Sequence, residues 1–260
     1  MKRLFLLFFA LLSLGFADGM NREQVRAYVD GLGFPDAYYQ IRNRDEQVRA
    51  FVDVLLPIIM EENRKIAGEM VFVEAFFSRH SLEWSGEELL RLSKLAKKYR
   101  IRNLYDEKAY RLKIGLVPES LALGQAALES AWGKSRFVKE ANNIFGQWTY
   151  GKVGIAPKER EEGKSHKLKV FRNLNESVAS YMLNLNRNPA YREFRRKRLA
   201  LSKAGERMDG LVASETMHRY SEIGEEYVQR LKKVILANAF EHHDGVTPSA
   251  SQPRYAYSTI

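Results

Sequence analysis

The stretch ALGQAALESAWGKS, residues 122–135, sets one carboxylate, Glu129, among Ala, Leu and Trp. Burying a carboxylate in apolar surroundings is costly unless something uses it. Read as a helix, the stretch puts Gln125, Glu129 and Trp132 on one face, since they are spaced four and three residues apart. A carboxyl beside an indole in a poorly solvated groove holds its proton, so its pKa is expected to rise. That is the property a general acid needs to protonate a glycosidic oxygen near neutral pH. The competing reading is a capped or ion-paired glutamate near a helix C-terminus, and the helix alone does not exclude it.

Other side chains offer less. The chain has no cysteine, which excludes disulfides, thiolate metal sites and cysteine nucleophiles. Five histidines are scattered, and His242 and His243 have no partner at ligand spacing, so neither a metal site nor a cofactor is expected. His166 opens a predicted strand and either lines the groove or meets solvent. Net charge is +10, which favours polyanionic partners. YREFRRKRLALSK interleaves cations with Tyr191 and Phe194. It is read as a solvated helix face meeting an anionic cell envelope, not as a nucleic-acid surface, because the N-terminus carries an export signal.

That signal is MKRLFLLFFALLSLGFADG. Lys2 and Arg3 precede an apolar run from Leu4 to Leu14, and Gly15 and Ala17 suit cleavage after Ala17. The alternative is an uncleaved anchor. No later apolar run is long enough to span a bilayer.

Elements must hold Glu129 in place. Residues 18–47 read as a short helix and a connection. Val48, Phe51, Val52, Leu55, Ile58 and Ile59 recur at helical spacing, with Pro57 expected to kink or break that helix. Ser85 and Glu88 form a capping-box pattern ahead of Leu89, Leu90, Leu92 and Leu95. Pro118 and Glu119 suit the start of the next helix, and Gly133 its end. FGQWTYGKVGI and HKLKVF alternate as two strands of a hairpin around the polar APKEREEGKS. Helical patterns return in NESVASYMLNLNRN, PAYREFRRKRLA and GEEYVQRLKKVILANAF. The tail reads as disordered. The expected fold is therefore mostly helical α+β, resembling the lysozyme architecture, with an inserted β-hairpin and an N-terminal helical extension. The expected boundaries are a signal peptide over 1–17, a helical region over 18–116, the site domain over 117–241 and the tail over 242–260.

ALGQAALESAWGKSRF followed by NNIFGQ resembles the glucosaminidase family of bacterial cell-wall hydrolases, glycoside hydrolase family 73. VPESLALGQAALESAWGKSRFVKEANNIFGQW and NLNRNPAYREFRRKR resemble its Bax branch in particular. The resemblance covers roughly residues 45–240 and implies hydrolysis of peptidoglycan glycan strands at the β-1,4 bond after N-acetylglucosamine. It implies that Glu129 is the catalytic acid, with Gln125, Ser130, Trp132, Asn142, Asn143, Phe145, Gly146 and Trp148 around the substrate. Tyr220 resembles the family's site tyrosine, although YSEIG departs from the usual wording there. A second carboxylate is implied on the hairpin. Glu162, next to Gly163, is preferred over Glu159 and Glu161, and assistance by the substrate N-acetyl group is the alternative. A lytic transglycosylase or muramidase, and a non-catalytic glycan-binding envelope protein, are the competing functions.

Overall fold

The computed structural model describes residues 33–151, 154–155 and 167–245. Their architecture is mostly helical α+β, as expected, with one small antiparallel sheet. The chain divides into two compact units. The first takes Met1–Phe51 and Ala126–Val178, the second Val52–Gln125 and Ala179–Ile260. The division falls inside three helices, named below as α1, α4 and α6. Among the described residues no helix is long and apolar enough to cross a membrane.

Helix α1, Arg44–Phe77, runs through Pro57 without a break. Pro57 removes one N–H from the ladder, but it lies on the exposed side of the helix, where water can take the freed carbonyl. The buried positions follow the helical period: Leu55, Ile59, Ile66, Val73 and Phe76 within the second unit. Helix α2, Gly86–Tyr99, starts on the predicted capping box. The Glu88 N–H donates to Ser85 Oγ at 3.2 Å, and the Ser85 N–H donates to Glu88 Oε2 at 3.0 Å. A short α3, Glu107–Lys113, follows, capped by Asp106. Helix α4, Glu119–Ser130, begins directly after Pro118. Gly124 is required there, because a Cβ would lie 2.9 Å from both Leu231 and Ile235.

In the first unit, α5 (Arg136–Ala141) leads into strands β1 (Trp148–Thr149), β2 (Gly154–Ile155) and β3 (Lys167–Lys169). The expected hairpin is instead three-stranded, in the order β1-β3-β2, with both outer strands antiparallel to β3. Trp148 pairs with Leu168, and Gly154 with Lys169. The first predicted strand divides because the Gly151 N–H bonds back to Thr149 Oγ1 at 2.9 Å, which turns the chain. Gly154 admits no side chain, since a Cβ would fall 2.8 Å from Thr149 Cγ2 and 2.9 Å from Lys167 Cβ.

Helix α6 (Leu174–Arg187) precedes a 3-10 turn at Pro189–Tyr191, α7 (Arg192–Lys203), α8 (Gly210–Ser214) and α9 (Glu225–Ala237). The tail was expected to begin at His242. However, His242 and His243 belong to a 3-10 helix, Phe240–His243, with Phe240 fully buried. Asp244 then accepts from the N–H and hydroxyl of Ser120 and from the Gly210 N–H, tying the chain to the starts of α4 and α8.

Candidate active site

Glu129 is half-buried in the last turn of α4, one residue before its end. The helix stops earlier than the sequence suggests. Ala131, Trp132 and Gly133 all take left-handed backbone, with φ of 49°, 58° and 71°. Trp132 is therefore off the helix, and the predicted helical face joining it to Glu129 does not exist. Left-handed backbone costs a non-glycine residue roughly 1–2 kcal/mol, so this turn needs support. Some comes from the main chain, where the Trp132 N–H reaches Ala127 O at 2.9 Å and the Ser135 N–H reaches Ser130 O at 2.9 Å. More comes from Ser130, whose hydroxyl donates to Ala126 O and accepts from the Gly133 N–H at 2.7 Å. Ser130 is fully buried, so it shapes the turn and cannot meet a polymer.

The rest of the support comes from the segment ahead of α1 and from the first turns of that helix. Tyr38, in the 3-10 turn Asp36–Gln40, donates its hydroxyl to Trp132 O at 2.6 Å. Burial raises the Tyr38 pKa, which keeps it a donor. The Trp132 ring lies 5.2 Å from Phe51, and the Arg44 guanidinium sits over it at 3.7 Å. Phe34 stacks on Phe51 at 5.7 Å and faces Gly133, where a Cβ would be 2.8 Å from its ring. The clustered aromatics of GFPDAYY were the only sequence signal for this clamp.

Opposite the helix end lies the Asn-Asn-Ile-Phe-Gly loop. Asn142 caps α5 in the left-handed region, φ 51°, which asparagine tolerates. Its Nδ2 donates to the carbonyl of Arg172 at 3.0 Å. Asn143 Nδ2 donates to the carbonyls of Gln147 at 2.8 Å and Lys169 at 2.9 Å, and its Oδ1 accepts from the Gln147 N–H at 2.8 Å. Both amides are buried, with both Nδ2 groups and Asn143 Oδ1 committed to main chain, and Phe145 is buried too. Of these three, all expected near substrate, Asn143 ties the loop to β3 and Asn142 ties it to the chain just beyond that strand. What the loop turns toward Glu129 is Gly146, at φ 61°, where a Cβ would stand 3.8 Å from Glu129 Oε2. Gly146 thus brings main chain, with no side chain, toward the carboxyl. Trp148 is 53% exposed and Tyr150 82% exposed, so both are open to a ligand.

Two expected residues belong to the second unit. Gln125 is fully buried, with its Oε1 accepting from Tyr181 at 2.6 Å and its Nε2 donating to Tyr227 at 2.9 Å. It is thereby a core amide and not a substrate contact. Tyr220 is half-buried, stacked on Tyr227 at 5.4 Å and tilted against Tyr191 at 6.0 Å. Glu159, Glu161, Glu162 and His166 lie outside the described residues. Among the described residues no three His, Asp or Glu side chains gather as a metal site.

A half-exposed acid at a helix end, facing a glycine-bared loop beside open aromatics, is an arrangement suited to an extended polar ligand. The family model described as mannosyl-glycoprotein endo-beta-N-acetylglucosaminidase matches residues 106–259, more than half of the chain, and the protein belongs to this glucosaminidase family. The chain is 29% identical over 185 residues to Protein bax of Escherichia coli (strain K12), covering 69% of this chain and 65% of that protein. It is 35% identical over 88 residues to Peptidoglycan hydrolase FlgJ of Salmonella typhimurium, covering 29% of this chain and 28% of that protein. The match thus spans under two thirds of each relative's length. No solved structure gave a significant match.

Proposed function

We propose that the protein is an exported peptidoglycan hydrolase that cuts the β-1,4 bond after N-acetylglucosamine, with Glu129 as the general acid. The observation that carries this reading is the half-exposed Glu129 carboxyl at the end of α4, set against the side-chain-free backbone of Gly146. Family membership and the printed name of the FlgJ relative support the substrate class. In this reading residues 117–241 hold the catalytic domain, and the apolar N-terminus directs export to the periplasm or envelope. Glu129 protonates the leaving glycosidic oxygen. Glu162 or a neighbouring hairpin carboxylate activates water or stabilises the positive charge at the anomeric carbon, unless the N-acetyl group does so. Trp148 offers its ring to a sugar face, and Tyr220 contributes to the site.

The test is digestion of purified peptidoglycan by wild type and Glu129→Gln. Wild type should release reducing N-acetylglucosamine ends, identified by reduction and mass spectrometry. The variant should lose about a hundredfold or more, the scale of general acid catalysis, with its melting temperature held. Muramic-acid or anhydro ends would replace this reading with a muramidase or lytic transglycosylase. A destabilised Glu129→Gln protein that still cleaves would remove Glu129 from the chemistry.

A further inference from the structure

The second unit gathers cations where several helices end. The α2 terminus carries Arg100 and Arg102. Lys113, the last residue of α3, donates to the carbonyls of Arg100 at 2.6 Å and Tyr99 at 3.0 Å. Arg187, the last residue of α6, donates to Lys98 O at 3.2 Å. Three consecutive carbonyls, those of residues 98, 99 and 100, therefore hold two cations beside a third. On α7, Arg195 donates to the carbonyls of Leu185 and Asn188, each at 2.8 Å. Arg192 sits one turn before it.

Capping helix C-termini accounts singly for Lys113, Arg187 and Arg195. It does not account for their number or for the lack of counter-charge. None of Arg100, Arg102, Lys113, Arg187, Arg192 and Arg195 makes an ion pair among the described residues. The acids nearby in the sequence and fold are already engaged: Glu69 pairs with Lys98 at 2.7 Å and accepts from the Tyr99 hydroxyl, and Glu193 faces His218 at 3.6 Å. Arg195 is 3% exposed and its Nε has no hydrogen-bond partner. Burial, and then the charges of Arg195, Arg100 and Arg102, hold the Lys113 pKa below its usual value. Arg187 is likewise lowered, by burial and then by Arg100.

We propose that this cluster is a binding site for a phosphate-type oxyanion. A phosphate group brings more charge and more acceptor oxygens than one carboxylate, so it can bridge several guanidinium forks at once. Arg100, Arg102 and Arg192 are exposed and give it access. The phosphate is either free or the headgroup of an anionic lipid, and the chemistry of recognition is the same. The proposal does not depend on the glycan-cleaving activity.

The experiment uses the full chain. Its melting temperature is followed against inorganic phosphate, with sodium chloride at matched ionic strength as control. Phosphate should raise it by several degrees more than chloride, since a ligand that binds only the native state stabilises it. Arg102→Gln/Arg192→Gln changes two exposed side chains, so it should fold and melt like wild type in chloride, yet bind phosphate about tenfold or more weakly by calorimetry. Co-sedimentation with phosphatidylglycerol vesicles but not phosphatidylcholine, competed by phosphate, assigns a lipid headgroup. Phosphate binding without vesicle binding assigns a free phosphate. Equal effects of phosphate and chloride, or a double variant that binds as well as wild type, would overturn the site.

Discussion

The two units meet the same problem, buried polar groups around main-chain ends, with a different emphasis. The first uses neutral side chains. Ser130, Asn142 and Asn143 bind main-chain groups and hold an irregular turn and loop, so the charged group at their centre is left to a carboxyl that is half-open. The second adds charged ones to buried amides such as Asn63, Gln125 and Asn186. Arg195, Arg198 and Lys113 are spent on helix-end carbonyls, and Glu119, fully buried, accepts from Asn63 at 3.0 Å and Arg207 at 3.4 Å. A charge committed to carbonyls stiffens a scaffold but performs no chemistry. Amides and hydroxyls can shape backbone without adding a field that would fix the protonation of a nearby acid. The comparison predicts that damage to the second unit appears mainly as lost stability, and damage to the first mainly as lost turnover.

The largest effect is expected at Arg198. Its Nη1 donates to the carbonyls of Gly115 at 2.8 Å and Leu116 at 3.0 Å and to Asn186 Oδ1 at 2.7 Å, while burial, then Arg195, lowers its pKa to about 9. Arg198→Met leaves those acceptors without their donor, at a cost of roughly 3 kcal/mol. Tm should fall by roughly 10 °C. Turnover per folded molecule, measured well below that temperature, should stay near wild type. A variant that melts normally but cleaves poorly would erase the contrast between the units.

How much of this was legible in the sequence follows the range of the interactions. The α2 capping box was readable because both partners lie within four residues. The existence of α4 was readable from its composition, but its end was not. Three left-handed residues follow Ser130 because Tyr38, some ninety positions earlier in the chain, holds the Trp132 carbonyl, and no local pattern encodes that. Asn142 and Asn143 are legible as a motif, but their bonds to the carbonyls of Arg172 and Lys169 are not. An amide looks the same in a sequence whether it binds a sugar or a carbonyl. Helix α3, seven residues long, is too short to show a period.

The intermediate effect tests the clamp. Tyr38→Phe removes the bond donated to Trp132 O and the longer one accepted from Gln47 Nε2 at 3.4 Å, and keeps the ring, whose centroid is 4.5 Å from that of Phe34. The stability loss should be about 1 kcal/mol. Turnover should fall further than that loss explains, by roughly tenfold, because small misplacements of a catalytic group are costly. KM should change little, since Tyr38 does not reach the open side of the site. A rise in KM with kcat unchanged would instead make Tyr38 a binding residue.

The smallest effect is expected far from the site, at the α2 cap. Glu88 accepts from the Ser85 N–H and from Arg79, and these bonds hold its carboxyl down at about 2 against an ordinary 4.5. The sign follows from linkage. A carboxyl whose folded pKa is depressed binds its proton more readily when unfolded, so its contribution is complete above pH 4.5 and disappears as pH falls toward 2. The group is partly exposed, so solvent and salt screen much of the effect. Glu88→Gln should therefore flatten the acid limb of the stability curve between those two pH values, lower Tm slightly at neutral pH through the weakened cap, and leave turnover unchanged. Urea melts at pH 3 and pH 7 would show it as a smaller difference between the two midpoints than wild type gives. An unchanged difference would mean that the acid sensitivity of this protein is set by other carboxylates, and the second unit would then owe less to its local caps than the comparison requires.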